Sequence, residues 1–350
     1  MTELNTNVLD LIGQAVLLVR GSRITYANPA AAEILGIDCR GKELAKILGV
    51  EIAASQSPNF VANAVLNGKS FIVHATRKDG LRVIVLKEAD KDYAMINDSF
   101  IVAMRSDITV MSMAAEVCRL KAEESADREL LSALATMSRS IAVASRMIGN
   151  VSTARSILTG ELEFMPQYMD LSQLCKSCVD AFAEIIPEPD FRCEFPEVCI
   201  MNVDPKLLIQ LLVNLLSNSI RHGKSKTIDV RLTDDIDMVV LTVSDDGCGI
   251  RCDELYNVFE CYRGGHTLRE MNRGGGFGLT VARGITEKHG GTILMESYEG
   301  KGTTVRILLR KTRGRCSMRS ANAYEMELKE LLLWAADCLP ASCYSEKYMD

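Results

Sequence analysis

The sequence predicts an α+β chain in three parts: an N-terminal α/β domain, an antiparallel two-helix hairpin, and a C-terminal α/β domain followed by a helical tail. Three observations carry that prediction. Short apolar runs alternate with turn residues over 8–95, apolar residues recur three and four apart over 98–165, and strands alternate with capped helices over 170–310. The tail occupies 320–350.

An apolar content of 47% over 350 residues is ample for buried cores in about two or three domains. The net charge of -6 is spread over mixed-sign segments and supplies no basic field for nucleic acid, so proteins are the expected partners. No run approaches the roughly eighteen uninterrupted apolar residues of a membrane span. The start, MTELNTNVLDLIG, lacks the basic region and long apolar core of a signal peptide. A cytoplasmic chain without membrane insertion is therefore expected. Its twelve cysteines scatter through helical and strand patterns, as reduced thiols do. Cys175 and Cys178 form a CxxC, but no second pair stands at metal-site spacing, and the segment reads as one face of a helix.

In the N-terminal part, AVLLV, the turn RGS and RITYANP read as a hairpin leading into a helix, with Asn28 as N-cap and Pro29 at the first helical position. Further on, KSFIVHATR and LRVIVLKEA flank Lys78, Asp79 and Gly80, where Asp-Gly marks a tight hairpin. The order of hairpin, Asn-led helix, further helices and closing hairpin resembles a PAS sensor domain, chiefly through RITYANPAAAEILG. No residue between Leu17 and Leu86 indicates a haem or flavin ligand.

The hairpin's first helix carries Ile101, Met104, Ile108, Met111, Ala115 and Cys118 at heptad spacing. After the polar break AEESAD the spacing returns in Leu130, Leu134, Met137, Ile141, Ala144, Ile148 and Val151. Two helices alone bury little. Seams of this kind close when two chains pair into a four-helix bundle, so a homodimer is expected.

In the C-terminal part, Asp204 and Pro205 cap a helix, KLLIQLLVNLLSNSIRHG, that stops at Gly223. Leu207, Leu208, Leu211, Leu215 and Leu216 form its apolar surface, while Asn214, Asn218 and Arg221 follow at spacings of four and three. A carboxamide oxygen suits Mg²⁺ bridging nucleotide phosphates, and an arginine one turn later can neutralise phosphate charge. Residues 238–243, MVVLTV, read as a buried strand ending in SDDGCGI, an acid at a glycine turn that can accept from an adenine amino group. A polar stretch from Gly264 to Arg273 precedes GGGFGL, where Gly274, Gly276 and Gly278 let backbone amides approach phosphate at a helix start.

In order, NLLSN, DDGCGI, VFECYR, GGGFGL and GKGTTV resemble the five sequence boxes of the histidine-kinase, gyrase and heat-shock chaperone ATPase superfamily. The resemblance implies an α/β sandwich that binds ATP with Mg²⁺. It makes Asn218 the Mg²⁺ ligand, Asp245 the adenine contact, Phe259 the lid anchor, and Gly274, Gly276 and Gly278 the phosphate-loop glycines. Asn214 and Arg221 complete the first box, and Gly247, Gly249, Leu279 and Thr303 belong to the others. The aromatic box, Phe259-Glu260-Cys261-Tyr262-Arg263, is one residue short between its acid and its second aromatic.

Superfamily members that hydrolyse ATP carry a glutamate four residues before the metal-binding asparagine. Here that position is Asn214, whose amide cannot accept a proton from water at neutral pH. Histidine kinases instead phosphorylate a histidine near the start of the first dimerisation helix. The run MRSDITV at 104–110 fits the family's segment after that histidine, which places Val102 at the acceptor position, Ala103 at the acid and Asp107 at the proline. Valine offers no lone pair, and the four histidines, His74, His222, His266 and His289, all lie outside the hairpin.

ARSILTGELEFMPQYMDLSQLCKSC resembles the passage from the second dimerisation helix into the ATP domain, so the likeness covers about 98–310. The expectation is a sensor-histidine-kinase relative that binds Mg-ATP without phosphorylating its own hairpin. Two alternatives stand beside it: a kinase acting in trans on a histidine or serine of a partner, and a nucleotide-binding scaffold that regulates a true kinase or a response regulator. The tail stripe Tyr324, Leu328, Leu331, Leu332 and Ala335, with Trp334 beside it, either packs on its own chain or docks a partner.

Overall fold

The structure, a computed structural model, describes residues 6–89, 98–125, 127–259, 277–311 and 328–344. After a short helix α1 (Thr6–Asp10), strands β1 (Ala15–Arg20) and β2 (Arg23–Ala27) form the first hairpin. Helix α2 (Pro29–Leu35) begins where its sequence predicts: the Asn28 side chain accepts from the Ala31 amide at 3.0 Å, and Pro29 fills the first position. Asn28 also stitches the hairpin down, accepting from the Val16 amide at 2.9 Å and donating to the Gln14 carbonyl at 2.8 Å.

Two short helices, α3 (Leu44–Leu48) and α4 (Val50–Ala54), lead to β3 (Asn59–Leu66), β4 (Lys69–Lys78) and β5 (Leu81–Glu88). The β4–β5 turn places Asp79 and Gly80 at φ 51° and 77°, the left-handed pair that an Asp-Gly hairpin turn requires. Leu17, Ile24, Leu44, Phe60, Phe71 and Ile84 are the centre of this core.

Helices α5 (Asp98–Glu124) and α6 (Arg128–Thr159) form the expected antiparallel hairpin, with Asp127 capping α6 by accepting from the Leu130 amide at 3.0 Å. On α5 the buried residues are Ile101, Ile108, Ala115 and Ala122, one per heptad. Two residues expected in that seam, Met111 and Cys118, are exposed. A straight helix meets a single neighbour along only one narrow line, so the second half of the apolar stripe faces outward.

Next come β6 (Gln167–Asp170), α7 (Leu171–Ile185), β7 (Asp190–Glu194), β8 (Ile200–Val203), α8 (Pro205–Gly223), β9 (Thr227–Asp234) and β10 (Met238–Asp245). They are followed by α9 (Cys252–Leu255), α10 (Phe277–Lys288), β11 (Thr292–Tyr298) and β12 (Gly302–Arg310). Cys175 and Cys178 lie fully buried on α7, and burial pushes both thiols up, consistent with the helix-face reading. Helix α8 packs between α7 and α10 above β10 and β12, and its leucines Leu208, Leu211, Leu215 and Leu216 are buried in the largest core.

The two sheets predicted separately are joined. A single ten-stranded sheet runs β2-β1-β5-β4-β3-β11-β12-β10-β9-β7, with β3 pairing antiparallel to β11 through Ala62–Leu294, Val61–Met295 and Phe60–Glu296. The buried Asn63 side chain accepts from the Ile293 amide at 2.6 Å and donates to Glu287 of α10 at 3.1 Å, closing the junction. The tail folds back as α11 (Leu328–Trp334) and a short 3₁₀ turn at Ala341–Tyr344. Leu331, Leu332, Ala335 and Leu339 are buried against α6 and α7, so this stripe packs on its own chain. Tyr324 lies outside the described residues.

Candidate functional site

Helix α8 brings Asn218 to one wall of a cleft of about 510 Å³ whose other walls carry Asp245, Gly249, Gly278, Leu279 and Thr303. Six site residues spread over 86 positions of sequence thus meet around one cavity. Asp204 caps α8 by accepting from the Leu207 amide at 3.2 Å, which fixes where the helix starts and hence which of its residues face the cleft.

Asp245 ends β10 at one side of the cleft and is held from three directions. Its Oδ2 accepts from Ser219 Oγ at 3.0 Å, and its Oδ1 accepts from the amides of Gly247 at 3.1 Å and Thr303 at 3.3 Å. Burial nevertheless raises its pKa above the ordinary carboxylate value, the three donors offsetting only part of that effect. A buried carboxylate locked in this way is a fixed acceptor facing the cavity, suited to an amino group on a flat heterocycle. His222, on the same cleft, has its pKa lowered by partial desolvation and then by Arg221.

The glycines divide by role. At Gly249, with φ at 65°, a Cβ would lie 1.8 Å from the Tyr298 carbonyl oxygen, so only glycine lets this cleft-lining turn close on β11. Gly247 sits behind the cleft, where a Cβ would lie 2.3 Å from the Gly223 carbonyl oxygen; it seats the end of α8 and does not line the cavity. Gly278 opens α10 and lines the cleft opposite Asn218. Gly274 and Gly276 lie outside the described residues, as does the polar stretch before them. Phe259 is fully buried, and its carbonyl accepts from Thr280 Oγ1 at 3.2 Å, which ties it to the first turn of α10.

At the other end, among the described residues, no hydrogen bond claims the Asn218 side chain, which borders the main cleft and a second cavity of about 170 Å³. An unclaimed carboxamide oxygen between two cavities fits a hard cation such as Mg²⁺. Among the described residues no cluster of three or more His, Cys, Asp or Glu stands where a metal could be held by protein alone, so a cation here needs ligand oxygens as well.

Two first-box residues are placed differently from the cleft residues. Asn214 is buried against α6, its Oδ1 accepting from Arg146 Nη2 at 2.9 Å and from Asn150 Nδ2 at 3.3 Å, and it lines neither cavity. Arg221 faces the second cavity and pairs with Asp337 of the tail at 2.6 Å. Arg146 and Asp337 carry no local sequence signal, because both act across more than 60 positions of chain. Ser219 could have been found from its place beside Asn218, on the turn that faces the acid.

On α5, Val102 is exposed, and neither α5 nor α6 contains a histidine. His74 lies on β4, stacked on Tyr256 with ring centroids 3.8 Å apart, and His289 follows α10, its Nε2 accepting from the Asp204 amide at 3.0 Å. His266 lies outside the described residues.

Residues 203–313 match the family described as histidine kinase-, DNA gyrase B-, and HSP90-like ATPase, and residues 3–69 match the PAS domain family. The sensor histidine kinase ZraS of Escherichia coli is 37% identical over 150 residues, 41% of this chain and 30% of ZraS. The sensor protein EvgS of Escherichia coli is 25% identical over 172 residues, 47% of this chain and 14% of EvgS. Among solved structures, full-length ShkA in complex with AMPPNP superposes with a TM-score of 0.51 at 15% identity, covering 63% of this chain and 47% of ShkA, a likeness of fold. The chain thus spans less than a third of the length of these curated relatives. No helix among the described residues is long and apolar enough to cross a membrane.

Proposed function

We propose that this relative of the sensor histidine kinases, with its PAS domain and its histidine-kinase-type ATPase domain, is a cytoplasmic signalling protein that binds Mg-ATP without phosphorylating its own helical hairpin. The observation that carries the reading is the pairing of a formed cleft, lined by both Asp245 and Asn218, with an α5–α6 hairpin that has no histidine.

In this reading Asp245 accepts from the adenine amino group, and Thr303 and Ser219 keep its oxygens oriented. Leu279 and Gly278 present the start of α10 to the phosphates, where a helix N-terminus favours anions. Asn218 supplies an amide oxygen to Mg²⁺, which when bound neutralises phosphate charge. Asn214 provides no base for water, and its carboxamide is engaged by Arg146 and Asn150, so steady hydrolysis is not expected.

Output then passes through nucleotide-dependent conformation. The exposed α5 side chains Val102, Val110, Met113 and Val117, each more than half exposed, form the surface on which a second copy completes a bundle. A response regulator or another signalling protein is the downstream partner. The formed cleft also favours a second reading, transfer of the γ-phosphoryl to a histidine or serine on that partner.

Incubation with γ-labelled ATP beside a Mg-ATP titration tests the proposal. Saturable binding without covalent label is the expected result. Label on residues 98–160 contradicts it, and label appearing only on an added partner establishes the second reading.

A further inference from the structure

The second cavity is rich in arginine. It is bordered by three arginines, Arg139 and Arg146 of α6 and Arg221 of α8, and it meets the main cleft at Asn218 and Gly278. Its one acid among the described residues is Asp337, which follows α11 in the tail. Among the described lining residues, one carboxylate against three guanidinium groups leaves an excess of positive charge. Arg146 is also nine-tenths buried, and its Nε has no hydrogen-bond partner.

Asp337 fills the corner as an anionic ligand would. Its Oδ1 pairs with Arg146 and accepts from Ser217 Oγ at 2.7 Å, while its Oδ2 accepts from Arg221 Nη1 at 2.6 Å. Arg139 binds the same segment through its backbone, donating to the Leu339 carbonyl at 2.6 Å. Two guanidinium groups and a hydroxyl converging on one anion make a donor set equally fitted to a phosphate.

We propose that this corner is the subsite for the terminal phosphate of a nucleoside triphosphate, and that the tail's Asp337 occupies it as an internal competitor. The inference rests on the nucleotide reading of the main cleft. With adenine at Asp245 and phosphates running toward Asn218, a diphosphate ends at the boundary between the cavities. A triphosphate extends past Asn218 and displaces Asp337 from Arg146 and Arg221. Because α11 and the residues after it are seated on α6, expelling Asp337 loosens the tail. Triphosphate binding is thereby read out as tail release, and diphosphate binding leaves the tail docked.

The test compares Mg-ATP and Mg-ADP affinities of the wild-type chain and Asp337→Asn by titration. Removing the competing charge is expected to tighten Mg-ATP about tenfold, with Mg-ADP changed by less than about twofold. In the wild-type chain, hydrogen exchange of the amides over 331–344 is expected to quicken with saturating Mg-ATP and to stay unchanged with Mg-ADP, which tests the idea without any substitution. An unchanged ATP-to-ADP ratio in the variant, or a tail equally protected with both nucleotides, overturns the inference and leaves nucleotide binding standing. Failure of the wild-type chain to bind either nucleotide overturns both.

Discussion

At the scale of single residues, the cleft depends on groups whose neighbours allow no substitute. Asp245 receives three donors, so Asp245→Asn turns one amide N–H toward a donor and weakens the adenine contact proposed for it. We expect nucleotide affinity to fall at least about tenfold and stability to fall by about 1–2 kcal/mol, measured by titration and by urea unfolding. Gly249→Ala places a methyl group on the Tyr298 carbonyl at a left-handed φ, and a loss of at least about 2 kcal/mol in the same unfolding assay is expected. The cleft residues were legible because each obeys a local rule: an amide on a polar helix stripe, an acid at a strand end, a glycine at a helix start. Arg146 and Asp337 were not, since their roles come from partners 68 and 116 positions away.

At the scale of elements, the hairpin and the strand junction decide how the parts communicate. The heptad pattern identified α5 and α6, yet Met111 and Cys118 face outward, because one neighbouring helix covers only one line of the stripe. A second copy is proposed to pack on another exposed face of α5, that of Val102, Val110, Met113 and Val117. Replacing Val110 and Val117 together by Glu is expected to convert the proposed dimer to monomer in light scattering, with folding retained because both side chains are solvent-exposed. The β3–β11 pairing could not be anticipated, since an open strand edge has no signature in its own sequence. Asn63 is its keystone. Asn63→Ala leaves the buried Ile293 amide without its acceptor, and a loss of about 1–3 kcal/mol is expected, with faster hydrogen exchange localised to β11.

At the scale of the whole molecule, the sheets of the N- and C-terminal domains are one surface, and His74 lies near where they meet. Burial, and then Lys87, lowers the pKa of His74 to about 4, so the ring that stacks on Tyr256 is neutral in the fold. An unfolded histidine takes up its proton near pH 6.5, so the stability tied to the neutral ring is fully present above that value. It is lost as pH falls toward 4, amounting to about 3 kcal/mol across the window. Urea midpoints measured at pH 7 and pH 4.5 should therefore differ less in His74→Gln than in the wild-type chain.

The N-terminal domain, the histidine-free hairpin, the cleft and the tail pack on one another, and the proposed function makes them respond together to nucleotide. The most direct test is a titration of the purified chain with γ-labelled Mg-ATP, read first as bound label at equilibrium and then as label retained after denaturation. The account predicts saturable binding and no retained label. Label retained on residues 98–160, or no binding at all, would contradict it.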